Sequence, residues 1–174
     1  KTNPGNAILF DGNFTTFQAC KHIRIDHNYV RGIKPEVSNE KEPIRLGVST
    51  MSKTFSYSVV ERNRFEDNIA EPEIVSVKAG GVRVSGNTVY RCIGGLVYRH
   101  GTNGLMADNY IVDRASTFGS TIGSGGFRVY DANHEVSYNY VDGVFGGNFQ
   151  GPLLLDSGDA EGTSTNLAGH WRVV

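Results

Sequence analysis

The sequence predicts an all-β fold, a right-handed parallel β-helix in which short strands stack coil upon coil. The main observation is an internal repeat in which alternating apolar residues are followed by an Asn. A second short apolar strand follows each of these Asn residues. The composition agrees, because 22 Gly and only 5 Pro among 174 residues suit many short strands joined by tight turns.

The repeat places its Asn residues at one corner of successive coils. They are Asn28, Asn63, Asn87, Asn109 and Asn139, separated by 35, 24, 22 and 30 residues. The shorter spacings predict a bare coil, and the longer ones predict a coil with an inserted loop. We expect each Asn to adopt left-handed backbone angles at the corner and to bond the backbone of neighbouring coils with its amide. This Asn ladder is interpreted as structural.

The strand after each Asn has apolar residues flanking a polar one. The predicted strands are residues 43–47, 73–78, 96–100, 126–130 and 152–156. Period-2 alternation points Ile44 and Leu46 inward and Arg45 outward. Stacking then brings four basic residues near one outer face: Arg45, Lys78, Arg99 and Arg128. An antiparallel sandwich is the competing architecture, but neither Asp11-Gly12 nor Asp142-Gly143 has clean strands on both sides.

Charge and hydropathy exclude two classes of partner. The formal net charge is -1, from 17 basic and 18 acidic residues, which argues against binding nucleic acid by bulk charge. No apolar run approaches membrane-spanning length. An anionic partner would therefore be held by local basic groups.

Three short features have the residue types that chemistry on an acidic substrate needs. Glu71 and Glu73 lie two residues apart around Pro72 and repel unless a cation lies between them, and hard oxygen ligands favour calcium. Lys78 ends the same apolar strand, where nearby cations would favour its neutral form and suit it to general-base work. Arg99 in the next coil has the geometry to bind a carboxylate or sulfate bidentately. The alternative is a solvated acidic corner with surface Lys and Arg side chains.

Together these residues resemble polysaccharide lyase family 6, which contains alginate lyases and chondroitinase B. The resemblance runs from about Ile23 to Leu155, most of the chain, and four segments carry it in the family's order: Asn39-Glu40-Lys41-Glu42-Pro43-Ile44-Arg45-Leu46-Gly47, Glu71-Pro72-Glu73-Ile74-Val75-Ser76-Val77-Lys78, Arg99-His100-Gly101 and Gly126-Phe127-Arg128-Val129. One departure is Glu40, which stands where the family often has Gly. The family's domain is longer, so residues 1–174 are expected to be a single β-helix catalytic domain lacking further coils at both ends.

The resemblance also implies roles for individual residues. Asn39, Glu71 and Glu73 would hold a calcium ion (Ca2+). Lys78 would be the base, and Arg99 would act at the leaving group as the acid. Substrate-binding roles fall to His100 and Arg128, with Arg45 and Tyr130 as further candidates.

The reaction implied is β-elimination on an acidic, uronate-containing polysaccharide. Alginate is favoured over dermatan or chondroitin sulfate, because a sulfate site calls for extra Arg and only Arg172 follows Arg128. A hydrolase acting on pectin-like chains would need a carboxylate pair at the centre of the cleft, and a carbohydrate-binding solenoid would not need these residues in register. So large a substrate implies a secreted or periplasmic protein.

Overall fold

Three parallel sheets wind around one apolar core. The computed structural model describes residues 6–34, 40–113, 124–147 and 150–156. Its first sheet contains β1 (Ile8–Phe10), β4 (Ile44–Leu46), β7 (Glu73–Lys78), β10 (Gly95–His100), β13 (Phe127–Val129) and β16 (Leu153–Leu155). The second contains β2 (Arg24–Asp26), β5 (Val59–Glu61), β8 (Arg83–Ser85), β11 (Leu105–Ala107) and β14 (Glu135–Ser137). The third contains β3 (Tyr29–Arg31), β6 (Arg64–Glu66), β9 (Thr88–Tyr90), β12 (Tyr110–Val112) and β15 (Tyr140–Asp142).

Strand order identifies the architecture as a parallel β-helix. Within each sheet every strand pairs with the strand three positions along the chain, and all of these pairs are parallel. Each coil therefore contributes one strand to each sheet, as the repeat predicts. A 3-10 turn at Ser49–Met51 lies in the loop between β4 and β5. No helix among the described residues is long and apolar enough to cross a membrane.

Rows of apolar side chains in register fill the interior. In the first sheet Ile44, Val75, Leu96 and Phe127 lie side by side on successive coils. These side chains are buried, and residues from the other two sheets pack against them. Tyr98 is fully buried in this core, and its single hydroxyl hydrogen lies between two acceptors, the carbonyl oxygens of Val82 at 2.7 Å and Leu105 at 2.8 Å. The polar end of the largest core side chain is therefore satisfied.

The Asn ladder is confirmed. At Asn87, the side-chain amide donates to Asn109 Oδ1 at 3.0 Å and to the Val60 carbonyl oxygen at 2.9 Å. Asn87 Oδ1 in turn accepts hydrogen bonds from the backbone and side-chain amides of Asn63, both at 3.0 Å. The same pattern continues to Asn28 at one end and Asn139 at the other. The three internal residues of the ladder, Asn63, Asn87 and Asn109, thus tie their coils to the coils on both sides.

The prediction that the ladder Asn residues adopt left-handed angles was wrong. The residue before each Asn does so instead, with φ between 54° and 64°: His27, Arg62, Gly86, Asp108 and Tyr138. The physical reason is the direction of the Asn side chain. Turning the chain one residue earlier leaves the Asn side chain inside the corner, where it reaches the backbone of adjacent coils.

Replacing the central ladder residue is expected to destabilise the fold more than replacing the terminal one. Asn87→Ala leaves several buried donors and acceptors without partners, so the free energy of unfolding should fall by about 3 kcal/mol. Asn28→Ala, at the exposed end of the ladder, should cost about 1 kcal/mol. Urea unfolding of both variants measures the difference, and equal losses would contradict a cooperative ladder.

Candidate active site

Two β-bulges shape the outer face of the first sheet. Glu73 pairs with Gly95 and Val75 pairs with Leu96, which leaves Ile74 as an extra residue in β7. Strict alternation would put Glu73 on the same face as the core residues Val75 and Val77. Because Ile74 and Val75 are both buried in the core, Glu73 is turned to the outer face instead. A second bulge lies at Arg99, between the Tyr98–Val77 and His100–Lys78 pairs.

The predicted basic residues lie on this face but not in one row. Arg45 and Arg128 belong to the same row across four coils, with Ser76 and Val97 between them. Lys78 lies further along β7, in register with His100, and Arg99 occupies the bulge beside it. The sequence therefore predicted correctly that the four basic residues share the outer face of the first sheet. Their positions along that face are set by the bulge at Arg99.

Three carboxylates meet at one end of this face. Glu42, Glu71 and Glu73 each place an oxygen within 4.8 Å of the others. Glu42 and Glu71 are almost completely buried. Burial, together with the nearby Glu42 carboxylate, raises the pKa of Glu71 to about 7. Charges this close repel, and a cation between them would relieve the repulsion.

Glu42 connects the carboxylate cluster to Lys78. Asn6 Nδ2 donates a hydrogen bond to Glu42 Oε2. Glu42 Oε1 lies 3.7 Å from Lys78 Nζ, and Oε2 lies 4.0 Å from Arg45 Nη1. Although buried, Glu42 Oε1 has no hydrogen-bond partner among the described residues. A buried anionic oxygen of this kind is a ready ligand for a cation.

The environment of Lys78 makes its ammonium easier to deprotonate than that of a lysine in water. Its side chain is 15% exposed, and burial lowers the pKa of its ammonium. The Glu42 carboxylate opposes this shift, and the charges of Arg45 and Arg99 add to it. A lysine with a lowered pKa is better suited to take a proton near neutral pH.

Glu73 and Tyr130 bring two guanidinium groups together. Arg128 Nη2 donates to Glu73 Oε1, and Arg99 Nε lies 3.9 Å from the same oxygen. The ring of Tyr130 lies 4.9 Å from Arg99 Cζ and 5.6 Å from Arg128 Cζ. Arg99 is the more exposed of the two, with 37% of its side chain accessible against 11% for Arg128.

His100 and the residue after it, Gly101, are each held by a contact from another coil. Its Nε2 lies 3.0 Å from Ser49 Oγ in the 3-10 turn. The next peptide is anchored as well, because Gly101 N–H donates to Asp131 Oδ2 at 2.7 Å and the Gly101 carbonyl lies 2.9 Å from His134 Nε2. The end of β10, which includes Arg99 and His100, is therefore fixed by its surroundings.

Two motif glycines have a steric explanation. Gly101 has a φ of 98°, and a Cβ there would lie 2.4 Å from the backbone of Ala79. Gly47 has a φ of 82°, and its Cβ would lie 2.7 Å from the carbonyl oxygen of Lys78. Both positions require glycine because the coils approach closely beside the site. Glu40, which stands where the family often has Gly, also has a positive φ of 70°.

The structure brings together most of the residues that the sequence singled out. Those on this face or at its edge are Arg45, Glu71, Glu73, Lys78, Arg99, His100, Arg128 and Tyr130. Asn39, the third predicted calcium ligand, lies outside the described residues. Sequence reasoning missed a role for Glu42, although a signal was present. The dipeptide Glu42-Pro43 precedes β4 just as Glu71-Pro72 precedes β7.

The donor set at the cluster fits a hard divalent cation. Glu42, Glu71 and Glu73 offer carboxylate oxygens, which calcium prefers, and no described nitrogen or sulfur ligand belongs to the group. The buried Glu42 oxygen that lacks a hydrogen bond and the raised pKa of Glu71 both indicate crowded carboxylates whose repulsion a bound cation would relieve. Beside the cluster lie a buried amine and two guanidinium groups. This arrangement can bind an anionic ligand, remove a proton from it and stabilise a departing oxygen.

The fold and site define a parallel β-helix protein with acidic and basic side chains grouped on the outer face of its first sheet. A family model described as chondroitinase B matches residues 1–170. The chain belongs to this family, polysaccharide lyase family 6. No match to a curated protein sequence was found.

Solved structures of family 6 lyases are similar in fold and sequence. The alginate lyase AlyGC is 33% identical with a TM-score of 0.69, over 77% of this chain and 18% of that one. A mannuronic acid-specific family 6 lyase from human gut microbiota is 32% identical with a TM-score of 0.66, over 80% of this chain and 31% of that one. A family 6 alginate lyase complexed with a trisaccharide is 25% identical with a TM-score of 0.67, over 78% and 31% of the two chains. The chain thus spans less than a third of the length of each.

His134 is expected to make the stability of the fold depend on pH. It is stacked on Tyr98 at 4.6 Å, accepts a hydrogen bond from Gly104 N–H, and burial lowers its pKa to about 4. The unfolded chain, with an ordinary His pKa near 6.5, binds more protons between these values. The contribution of His134 to stability should therefore be complete above about pH 6.5 and fall by up to about 1.4 kcal/mol per pH unit toward pH 4. Glu71, whose pKa is raised to about 7, has the opposite slope, so the effect of His134 is the difference between the protein with and without this histidine.

Urea unfolding at several pH values measures this slope. His134→Gln should reduce it, and the exposed His22→Gln should leave it unchanged. An unaltered slope in His134→Gln would show that other groups cause the acid sensitivity.

Proposed function

We propose that this chain forms the catalytic core of a calcium-dependent lyase that cleaves a uronate-containing polysaccharide by β-elimination, with alginate as the foremost substrate. The observation that carries the proposal is the cluster of Glu42, Glu71 and Glu73, two of them buried, adjoining Lys78 and Arg99 on one face. The solved relatives named as alginate lyases support the choice of reaction.

Calcium would be held by the carboxylates of Glu42, Glu71 and Glu73, with Asn39 as a further ligand implied by the family resemblance. When bound, the ion would act as a Lewis acid that stabilises negative charge on the substrate carboxylate. Glu42 extends the ligand set that the sequence indicated, because its oxygens lie beside those of the other two glutamates.

Lys78 is proposed as the base. Its neutral amine would accept the proton from C5 of the uronate, the C4–O bond would break, and a double bond would form between C4 and C5. The lowered pKa of the buried ammonium increases the fraction of neutral amine available for this step. Glu42, 3.7 Å away, would then stabilise the protonated product of the transfer.

Arg99 is proposed to act at the leaving oxygen. A guanidinium holds its proton too tightly to be an efficient acid. Arg99 would therefore stabilise the departing O4 mainly by its charge, and water would deliver the proton. Arg128, His100 and Arg45 would bind the substrate's anionic and hydroxyl groups, with Arg45 oriented by Asp11 at 3.2 Å.

A dermatan or chondroitin sulfate lyase is the second candidate. The family model's own description, chondroitinase B, favours it. Alginate remains first, because the solved relatives at 25% identity or more include two named as alginate lyases and one described as specific for mannuronic acid. A polymer of this size is degraded outside the cytoplasm, so we also propose a secreted or periplasmic location.

Ultraviolet absorbance tests the reaction directly. The folded protein is incubated separately with alginate and dermatan sulfate, first with calcium and then with a chelator. We expect absorbance from the conjugated double bond to rise on alginate and to stop with the chelator. A rise that survives the chelator would remove calcium from the proposal, and no rise on either polymer would favour a non-catalytic binding protein or a hydrolase.

Substituting the proposed base tests its role, and an exposed lysine elsewhere supplies the matched control. Lys78→Ala should lose turnover by at least about a hundredfold, since general-base catalysis contributes that much or more. Its calcium affinity should be kept or increased, because the substitution removes a positive charge 3.7 Å from Glu42 without removing a ligand. Lys21→Ala, an exposed lysine before β2, should retain full turnover. Turnover by Lys78→Ala would show that another group is the base.

Glu71→Gln tests the metal site without relying on turnover. In the unsubstituted protein Lys41 N–H donates to Glu71 Oε2 at 3.1 Å, and the Gln carbonyl can still accept this hydrogen bond. The substitution removes the charge that repels Glu42. Without calcium this variant should be at least as stable to heat as the unsubstituted protein. The increase in melting temperature on adding calcium should be lost, since it reflects binding to the folded state. An unchanged increase would exclude Glu71 as a ligand.

A further inference from the structure

Tyr130 occupies a position from which one ring reaches both guanidinium groups of the candidate site. It follows β13 directly, and its backbone N–H donates to the Tyr98 carbonyl oxygen at 3.0 Å. Only 7% of the residue is exposed, so the ring is enclosed. Arg99 Cζ lies 4.9 Å and Arg128 Cζ 5.6 Å from the ring centroid. The two arginines come from adjacent coils, and the ring contacts both.

We infer that Tyr130 is a positioning residue whose ring holds Arg99 and Arg128 side by side, so that Arg99 faces the leaving oxygen. The inference rests on the proposed function and assigns Tyr130 a role that sequence reasoning did not. The sequence indicated a substrate-binding residue, which would act through direct contact with the sugar. The geometry instead points to a cation–π interaction, in which the face of the Tyr130 ring attracts both guanidinium groups.

Two positive charges near one another need a group that stabilises both. Glu73 Oε1 contacts Arg128 and lies 3.9 Å from Arg99 Nε. Glu73 is also a proposed ligand of the cation, and its charge cannot serve three positive partners fully. The electron-rich ring face is independent of that competition. Tyr130 therefore keeps the arginine pair in place whichever partner Glu73 takes.

Arg99 depends on the ring more than Arg128 does. More than a third of its side chain is exposed, so solvent and side-chain entropy favour many rotamers. Arg128 is confined by burial and by Glu73. Removing the ring would release Arg99 chiefly, which would lower the rate of the bond-breaking step more than substrate binding.

A closely similar arrangement elsewhere in the chain supplies the control. Tyr90 in β9 of the third sheet lies 4.9 Å from Arg91 Cζ and 5.8 Å from Arg64 Cζ. The same contacts are therefore present on a sheet that contributes no residue to the candidate site. Tyr90→Leu removes an aromatic ring from beside two arginines without changing a residue of the candidate site.

Kinetics on the polymer that the protein cleaves separate the roles. Tyr130→Leu should lower kcat about tenfold or more, with KM changed no more than about twofold. Tyr130→Phe, which keeps the ring, should stay within about twofold of the unsubstituted kcat. Tyr90→Leu should have unchanged kcat and KM. A kcat for Tyr130→Leu equal to that of the unsubstituted protein would overturn the inference, as would a large rise in KM for Tyr130→Phe, which would indicate that the hydroxyl binds substrate.

The arginine side chains supply a readout that needs no turnover. In protein labelled with 15N-arginine, the ring current of Tyr130 should shift the Nε–H signals of Arg99 and Arg128 away from those of an arginine without a neighbouring ring. The Tyr130→Phe variant, which keeps a ring, should show the same shifts. Tyr130→Leu should lose those shifts, and signals unchanged by Tyr130→Leu would overturn the contact itself. Absence of turnover by the unsubstituted protein, with the shifts present, would instead overturn the proposed function and the catalytic role together.

Discussion

The register between coils is the constraint on which the candidate site depends. Arg45 belongs to β4, Glu73 and Lys78 to β7, Arg99 to β10 and Arg128 to β13. These residues meet only because each coil lies in a fixed position on the next. The buried Asn ladder ties that position at one corner, and parallel backbone pairing continues it across the sheets. A slip of one residue would turn the whole outer row into the core.

The packed coils hold ionisable side chains in buried positions that disfavour their charged forms. The pKa of Glu71 is raised to about 7, and the pKa of Lys78 is lowered, chiefly because both are buried. Each shift means that the charged form is less stable in the fold than in water. Neighbouring coils compensate only partly, through Lys41 N–H for Glu71 and through Glu42 for Lys78. The protein thus stores electrostatic free energy at the place where an anionic ligand and a cation would release it.

Alternation and the Asn repeat were enough to predict the five later strands of the first sheet and the ladder. They failed where the backbone departs from regular geometry. Period-2 reading could not show that Ile74 is a bulge that turns Glu73 outward, because a bulge depends on the pairing partner. The left-handed residue before each Asn has no common identity, ranging from Gly86 to Tyr138, so composition does not reveal it. Glu42 was missed because its importance arises from the next coil.

The surroundings of the carboxylates are the reason for proposing elimination rather than hydrolysis. A glycoside hydrolase needs two carboxyl groups about 5 to 9.5 Å apart, with the scissile bond between them. Here Glu42 and Glu71 are almost completely buried, beside the Lys78 amine and the Lys41 backbone N–H respectively, so neither carboxylate is exposed to a sugar. Glu73 is engaged by Arg128. In the proposed function the carboxylates therefore bind a cation, and the amine of Lys78 and the guanidinium of Arg99 act on the sugar. An amine base and a fixed positive charge are the groups that proton abstraction beside a carboxylate requires, which is why the proposal assigns elimination to this site.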